Sequence, residues 1–218
     1  MPEDYLMRQI QNFAHALARI MGLAKLRQYN EAIEVISQTT TQILRLDLDT
    51  IMAQSNTSLV DFLDTRYPPN EAEPLRRELV TLLREAGAIH AARGSTNHAW
   101  ESYLKALDLL VQPSAGTTVA RLLLDRPLVE QLLGVLDGND MPTSTGLLVM
   151  EYFERSNDFA QAEDALFRLL EAKPATAEVI SAGLAFYDRL GALSDAELAA
   201  GNLPREELAA GRRELLSA

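Results

Sequence analysis

The chain has 218 residues, of which 47% are hydrophobic, and its formal net charge is −11. That charge repels phosphate, so it disfavours binding to nucleic acid and to anionic membranes. Cysteine is absent, which excludes disulfides, thiolate metal sites and a cysteine nucleophile. Leucine and alanine dominate the apolar residues, and this composition predicts an all-α protein.

The N-terminal region, residues 1–66, predicts one long helix followed by shorter ones. The long helix is expected from Glu3 to Leu26, the second helix from Asn30 to Leu46, and one or two short helices between Leu48 and Thr65. Thr57 or Ser58 is the expected N-cap in that last stretch.

Apolar residues of the long helix recur at alternating spacings of four and three, which is the pattern of a heptad seam. The seam consists of Leu6, Ile10, Phe13, Leu17, Ile20 and Ala24, and it is flanked by Met7, Ala14 and Met21. The face is therefore broad enough for two neighbours. It is predicted to pack on the second helix, to pair with a second copy of the chain, or to do both.

Proline residues punctuate the rest of the chain. Further helices are expected over Ala72–Ala92, Thr96–Gln112, two segments flanking Asp125-Arg126-Pro127, Thr143–Ser156, Phe159–Lys173, Ala175–Leu190 and two short segments at the end. We predict a single all-α domain over residues 1–218. Its best repeat lies in 72–112, irregular helices lie in 114–140, and C-terminal repeats lie in 143–218.

A helix–turn–helix pattern recurs along the chain. The clearest copy comprises Gly87, Gly94, Ala99, Tyr103 and Ala106, followed by Pro113. Gly87 is expected to let two helices approach closely, and Gly94 to form the turn. Other copies comprise Asn157, Phe159, Ala162, Leu166, Leu169 and Pro174; then Gly183, Tyr187, Gly191, Leu193 and Ala196; and, in degenerate form, Tyr29, Ala32, Ile36 and Thr39. In the degenerate copy, Arg27 stands where a turn glycine is expected.

This pattern resembles the tetratricopeptide repeat, whose period of about 34 residues matches the separation of Ala162 and Ala196. Residues 11–20, 29–32 and 87–107 also resemble a small, functionally uncharacterised bacterial family of tetratricopeptide-like proteins. The resemblance implies helical hairpins stacked in a short right-handed array, preceded by the long N-terminal helix. It implies no catalytic residues.

The sequence offers no motif for catalysis, and we expect neither enzyme activity nor a cofactor. His15, His90 and His98 lack metal-ligand spacing, and Asp137-Gly138-Asn139-Asp140 lacks the pattern of a calcium loop. No phosphate-binding loop or nucleophile elbow occurs. The acidic start and the lack of a membrane-spanning apolar run predict a cytoplasmic protein.

We therefore expect a module that binds another protein or peptide, preferably a basic one. By analogy with tetratricopeptide domains, the first helix of each pair lines the binding surface. That analogy gives Arg84, Ala88, Glu151, Arg155, Asp188 and Arg189 as partner-binding residues. One alternative is a structural homodimer through Leu6, Ile10, Phe13, Leu17 and Ile20. Another is a regulator that senses a small ligand, with Trp100 as its fluorescent reporter.

Overall fold

The computed structural model describes residues 2–114, 117–138, 141–172 and 176–217, apart from the side chains of 2–7, 9 and 172. These residues form twelve α-helices and no strand, in agreement with the predicted all-α class. The helices are α1 (Pro2–Lys25), α2 (Tyr29–Leu44), α3 (Leu48–Ala53), α4 (Asn56–Arg66), α5 (Pro69–Ala92), α6 (Thr96–Val111), α7 (Val119–Leu136), α8 (Thr143–Arg155), α9 (Phe159–Ala172), α10 (Ala177–Gly191), α11 (Asp195–Ala200) and α12 (Arg205–Leu215).

The helices group into two compact units. Unit one comprises Met1–Gly116 and Leu128–Leu136, and unit two comprises Thr117–Pro127 and Asp137–Ala218. The boundary therefore passes through α7 at Pro127. The prediction of one domain over residues 1–218 stays a prediction.

Helix α7 corrects one expectation, because two helices were predicted to flank Pro127 and the structure has a single helix there. Buried apolar residues lie on both sides of the proline, one in the part of α7 that belongs to unit two and three in the part that belongs to unit one. These residues are Leu122, Val129, Leu132 and Leu136. Burial within each unit compensates for the backbone hydrogen bond that a proline inside a helix removes.

The other predicted helix ends lie close to the observed ones, and the helix caps explain most of the differences. Ser55, and not Thr57 or Ser58, caps α4, because its side chain accepts a hydrogen bond from the backbone N–H of Ser58. Ser194 forms the predicted capping box with Glu197 at the start of α11. The predicted ends at Lys173 and Ala175, Pro174, and the turn residues Asn139 and Asp140 lie outside the described residues.

Unit one is built around the antiparallel pair α5 and α6, on which α2, α4 and part of α1 pack. Its core is aliphatic and includes Ile20, Ile36, Leu79, Leu83 and Leu107. Gly87 confirms the predicted close approach, because a Cβ atom there would lie 2.7 Å from the ring of Tyr103. Lys105 on α6 donates through Nζ to the carbonyl oxygen of Gln54, which ties the end of α3 to the core.

Unit two contains the pair α8 and α9, together with α10 and the two terminal helices. Helix α10 packs on α12, α9 and α8. The third predicted repeat copy departs from the pattern here. Helix α11, which should pair with α10, has only 6 residues and leaves Ala196 exposed. The longer α12 takes its place against α10.

Three hairpins share both a turn and the buried alanine that follows it. Arg27, Gly94 and Asn157 adopt left-handed conformations, with φ of 61°, 82° and 59°. In each turn the following backbone N–H donates to a carbonyl five residues earlier: Gln28 to Leu23, Ser95 to His90, and Asp158 to Phe153. In each case a buried alanine lies five residues after the left-handed residue: Ala32, Ala99 and Ala162. Arg27 thus adopts the conformation expected of the missing glycine.

Candidate interaction surface

Helix α10 presents a shallow, open surface on the side that faces away from the core of unit two. Its buried side presents Val179, Phe186, Tyr187 and Leu190 to that core. The opposite side borders a concavity of about 520 Å³, which is lined by Ala177, Ile180, Ser181, Leu184, Ala185 and Asp188. We call this surface the α10 groove.

The lining of the α10 groove combines an apolar floor with one charge. Ile180 and Leu184 are half-buried, while the small residues Ser181 and Ala185 leave room between them. Asp188 lies at one end, where its Oδ1 atom is 2.7 Å from Nη2 of Arg212. Ala177, Ser181, Leu184 and Asp188 are spaced by four, three and four residues. This spacing marks one stripe of a helix and suits the apolar side of a second helix.

Only Asp188 among the six predicted partner-binding residues lines the α10 groove. Its neighbour Arg189 points instead towards α8, where Nε and Nη2 donate to the Glu154 carboxylate at 2.6 and 2.7 Å. This bidentate pair, with Glu151 nearby, raises the pKa of Arg189. Arg155 is half-buried, and its Nη1 atom is buried without a hydrogen-bond partner.

Arg84 and Ala88, the remaining two predicted residues, belong to unit one. Arg84 donates through Nη2 to Oε1 of Glu85 at 2.6 Å, and both side chains interact electrostatically with the Tyr103 hydroxyl. Ala88 is exposed. The six residues therefore belong to different local environments, and three of them, Arg84, Asp188 and Arg189, already form ion pairs within the chain.

Five residues of the α10 groove were missed from the sequence, because the analogy selected charged residues near the helix end. The stripe spacing of Ala177, Ser181 and Leu184 was the available signal. Recognising it requires knowledge of which side of α10 meets the core.

The predicted dimer-interface residues on α1 divide between core and surface. Ile20 is fully buried, so it belongs to the core within the chain. Phe13 and Leu17 are half-buried, whereas Ile10 is 50% exposed. The side chain of Leu6 lies outside the described residues.

Histidines separated in sequence come together at the α5–α6 turn. The rings of His90 and His98 stack with their centroids 5.4 Å apart, because Gly94 reverses the chain between them. Burial lowers the pKa of His90 to about 4, and the nearby charge of Arg93 acts in the same direction. In the parts of the chain that the structure describes, no three His, Asp or Glu side chains are grouped to hold a metal ion.

A buried carboxyl–phenol pair links α9 and α10. The Tyr187 hydroxyl donates to Oε1 of Glu163 at 2.6 Å. Burial raises the pKa of Glu163 and also that of Tyr187. Because Tyr187 is on the core side of α10, the pair fixes the rotation of this helix and thereby which side carries the groove.

A second concavity in unit one is mainly polar. It has a volume of about 390 Å³ and is lined by Arg27, Gln28, Tyr29, Asn30, Glu31 and Arg93. It brings together the turns that start α2 and α6. Its polar lining suits an apolar helix less well than the α10 groove does.

Comparison with known proteins identifies the family to which the chain belongs. The model of DUF6483, a family of unknown function, matches residues 1–218, so the chain belongs to that family. No curated protein and no solved structure matches the chain. Within the described residues, we find no helix with the length and apolar character needed to cross a membrane.

Proposed function

We propose that this member of the DUF6483 family is a protein–protein interaction module that binds its partner through the α10 groove and catalyses no reaction. Its scaffold is tetratricopeptide-like, with α1–α2, α5–α6 and α8–α9 as the hairpin units. Their common left-handed turn and the alanine five residues later support this interpretation. We place its action in the cytoplasm.

The observation that carries the proposal is the α10 groove itself. Its floor is apolar, it follows a single helix, and Asp188 provides a negative charge at one end. A helical segment with leucine-sized side chains and one basic residue would match these features. The net charge of −11 would also speed the approach of a basic partner.

Asp188 is available to such a partner because its present ion pair is exposed. The side chains of Asp188 and Arg212 are 62% and 45% accessible. An ion pair of this kind contributes about 1 kcal/mol or less, so a basic residue of the partner can replace Arg212. Charge reversal of that basic residue on the partner is then expected to weaken binding more than removal of the Asp188 charge does.

The test is an affinity capture from a lysate of the source organism with three forms of the full chain. Wild type is compared with Ala185→Trp, which fills the α10 groove, and with Ala199→Trp, which places the same side chain at an exposed position on α11. We expect a stoichiometric partner on wild type and Ala199→Trp, and at least a roughly 100-fold weaker interaction with Ala185→Trp.

Two results would contradict the proposal. Capture that is equal for Ala185→Trp and Ala199→Trp would place binding elsewhere on the chain. Absence of any stoichiometric partner would argue against an interaction module.

Cross-linking of the captured partner should identify a segment with a basic residue next to Asp188, and Asp188→Asn should weaken binding about tenfold.

A further inference from the structure

The apolar side of α1 is only partly covered within unit one. Ile20 is fully buried, and Phe13 is half-buried beside it. On the adjoining side of the same helix, Ile10 and Met21 are 50% and 46% exposed. Ala14, between them, is exposed and Leu17 is half-buried. We call Ile10, Ala14, Leu17 and Met21 the open stripe.

The open stripe has the geometry of a helix-packing surface. Its four residues are separated by four, three and four positions, which is the repeat of a coiled-coil seam. Ala14, near its centre, is small enough to let another helix approach closely. The predicted seam shares Ile10 and Leu17 with the open stripe and had Ala14 and Met21 as its flanks, but it also included Ile20, which is buried within the chain.

The two ends of α1 carry opposite charges in the sequence, acidic at the start and basic at the end. From residue 8 to the end of α1, the fully charged residues are all basic: Arg8, Arg19 and Lys25. The acidic residues Glu3 and Asp4 precede this segment in the sequence. Glu3 and Lys25 are each 11 residues from Ala14, or about 16 Å along a helix.

We propose that the open stripe is the interface of a homodimer in which the α1 helices of two copies pack antiparallel, with Ala14 at the two-fold axis. This arrangement brings the acidic start of each helix to the basic end of its partner. A parallel pair would instead place like charges together. The dimer is independent of the α10 groove, so it goes beyond the interaction function proposed above.

The first experiment measures the monomer–dimer equilibrium of the full chain by sedimentation. Ile10→Asp is expected to weaken dimerisation at least about 100-fold, since a two-fold interface contains the substitution twice. Leu26→Asp is the matched control, because Leu26 is 72% exposed and lies outside the open stripe. It should dimerise as wild type does, and circular dichroism should show that both variants are folded.

The second experiment tests the antiparallel direction. Lys25→Glu alone should weaken dimerisation about tenfold, and adding Glu3→Lys should restore it. In addition, Ala14→Cys gives a chain with a single cysteine, because the native sequence has none. Mild oxidation should cross-link this variant as a dimer, whereas Leu26→Cys should remain uncross-linked.

Three results would overturn the proposal. Wild type could remain monomeric at concentrations well above micromolar. Ile10→Asp and Leu26→Asp could dimerise equally well. Lastly, wild type could be monomeric and bind phosphatidylserine vesicles, while Ile10→Asp does not bind them. That result would make α1 a membrane-surface helix. Ala185→Trp should dimerise normally, so failure of the dimer and failure of the groove are separate results.

Discussion

The α1–α2 and α5–α6 hairpins share a turn but differ in their surroundings. Arg27 and Gly94 adopt the same left-handed conformation, and Ala32 and Ala99 pack after them in the same register. Helix α5 is nevertheless buried along most of its length, whereas Ile20 is the one fully buried side chain among the described side chains of α1. The repeated turn therefore depends on local backbone geometry. The helices that pack around each hairpin determine that α5 is mostly buried and that one side of α1 stays exposed.

The largest expected difference between the hairpins comes from truncating an aliphatic side chain. Leu83 on α5 is fully buried, so Leu83→Ala should cost about 2–5 kcal/mol of unfolding free energy. Leu17 on α1 is half-buried, and Leu17→Ala should cost about 1 kcal/mol. Urea denaturation measures both. Equal losses would mean that α1 is as well packed as α5.

A buried carboxyl group gives α5 a dependence on pH. Burial raises the pKa of Glu78 from 4.5 to about 7, and its Oε2 atom is buried without a hydrogen-bond partner. Between these pH values the folded chain binds more protons than the unfolded chain at this group. The free energy of unfolding therefore falls as pH rises from 4.5, and the full loss is reached above about pH 7. Glu78→Gln should therefore stabilise the protein at pH 8 by about 1–3 kcal/mol.

The measurement for Glu78 is the difference in unfolding free energy between wild type and Glu78→Gln across the pH range. His90 acts oppositely, since its pKa of about 4 means that stability is lost as pH falls from 6.5 towards 4. That contribution is common to both proteins and cancels in the difference. Glu31→Gln, at an exposed position of α2, is the control and should show no comparable trend. A pH-independent difference for Glu78→Gln would contradict the assigned pKa.

Glycines in the first helix of each hairpin sharpen the comparison further. A Cβ atom at Gly87 would lie 2.7 Å from the Tyr103 ring, so Gly87→Ala should cost about 1–3 kcal/mol. A Cβ atom at Gly22 would meet nothing within 4 Å. Gly22→Ala should stabilise α1 by about 0.5–1 kcal/mol through helix propensity. Thermal unfolding measures both variants. A change in melting temperature of the same sign in Gly87→Ala and Gly22→Ala would refute the difference in packing.

The sequence predicted what depends on local geometry. It located the turns at Gly94 and Asn157, the close approach at Gly87 and the capping box at Ser194, because each follows from the backbone requirements of a few neighbouring residues. It also identified the degenerate copy at Tyr29 and Ala32. Even there, Arg27 makes the turn that a glycine was expected to make.

What depends on tertiary packing was not predictable in the same way. Continuity of α7 through Pro127 depends on burial on both sides of the proline. The α10 groove depends on which side of α10 meets the core, and only Asp188 among the predicted residues lines it. The predicted seam on α1 contains Ile10 and Leu17 of the open stripe, but spacing alone did not show that Ile20 is buried while Met21 is exposed.

The smallest expected effect tests whether the two turns are equivalent. A left-handed conformation costs a residue other than glycine about 1 kcal/mol, so Gly94→Ala should lose about that amount. Arg27→Gly removes the same strain but increases the freedom of the unfolded chain, which leaves a gain of about 0.5 kcal/mol. Arg27→Asn, which introduces the residue type that Asn157 provides in the α8–α9 turn, should gain a similar amount, because asparagine tolerates this conformation. Urea denaturation should show a stability gain for the substitutions at position 27 and a loss for Gly94→Ala. This result would show that both hairpins use the same left-handed turn, and that Arg27 lowers the stability of the α1–α2 copy.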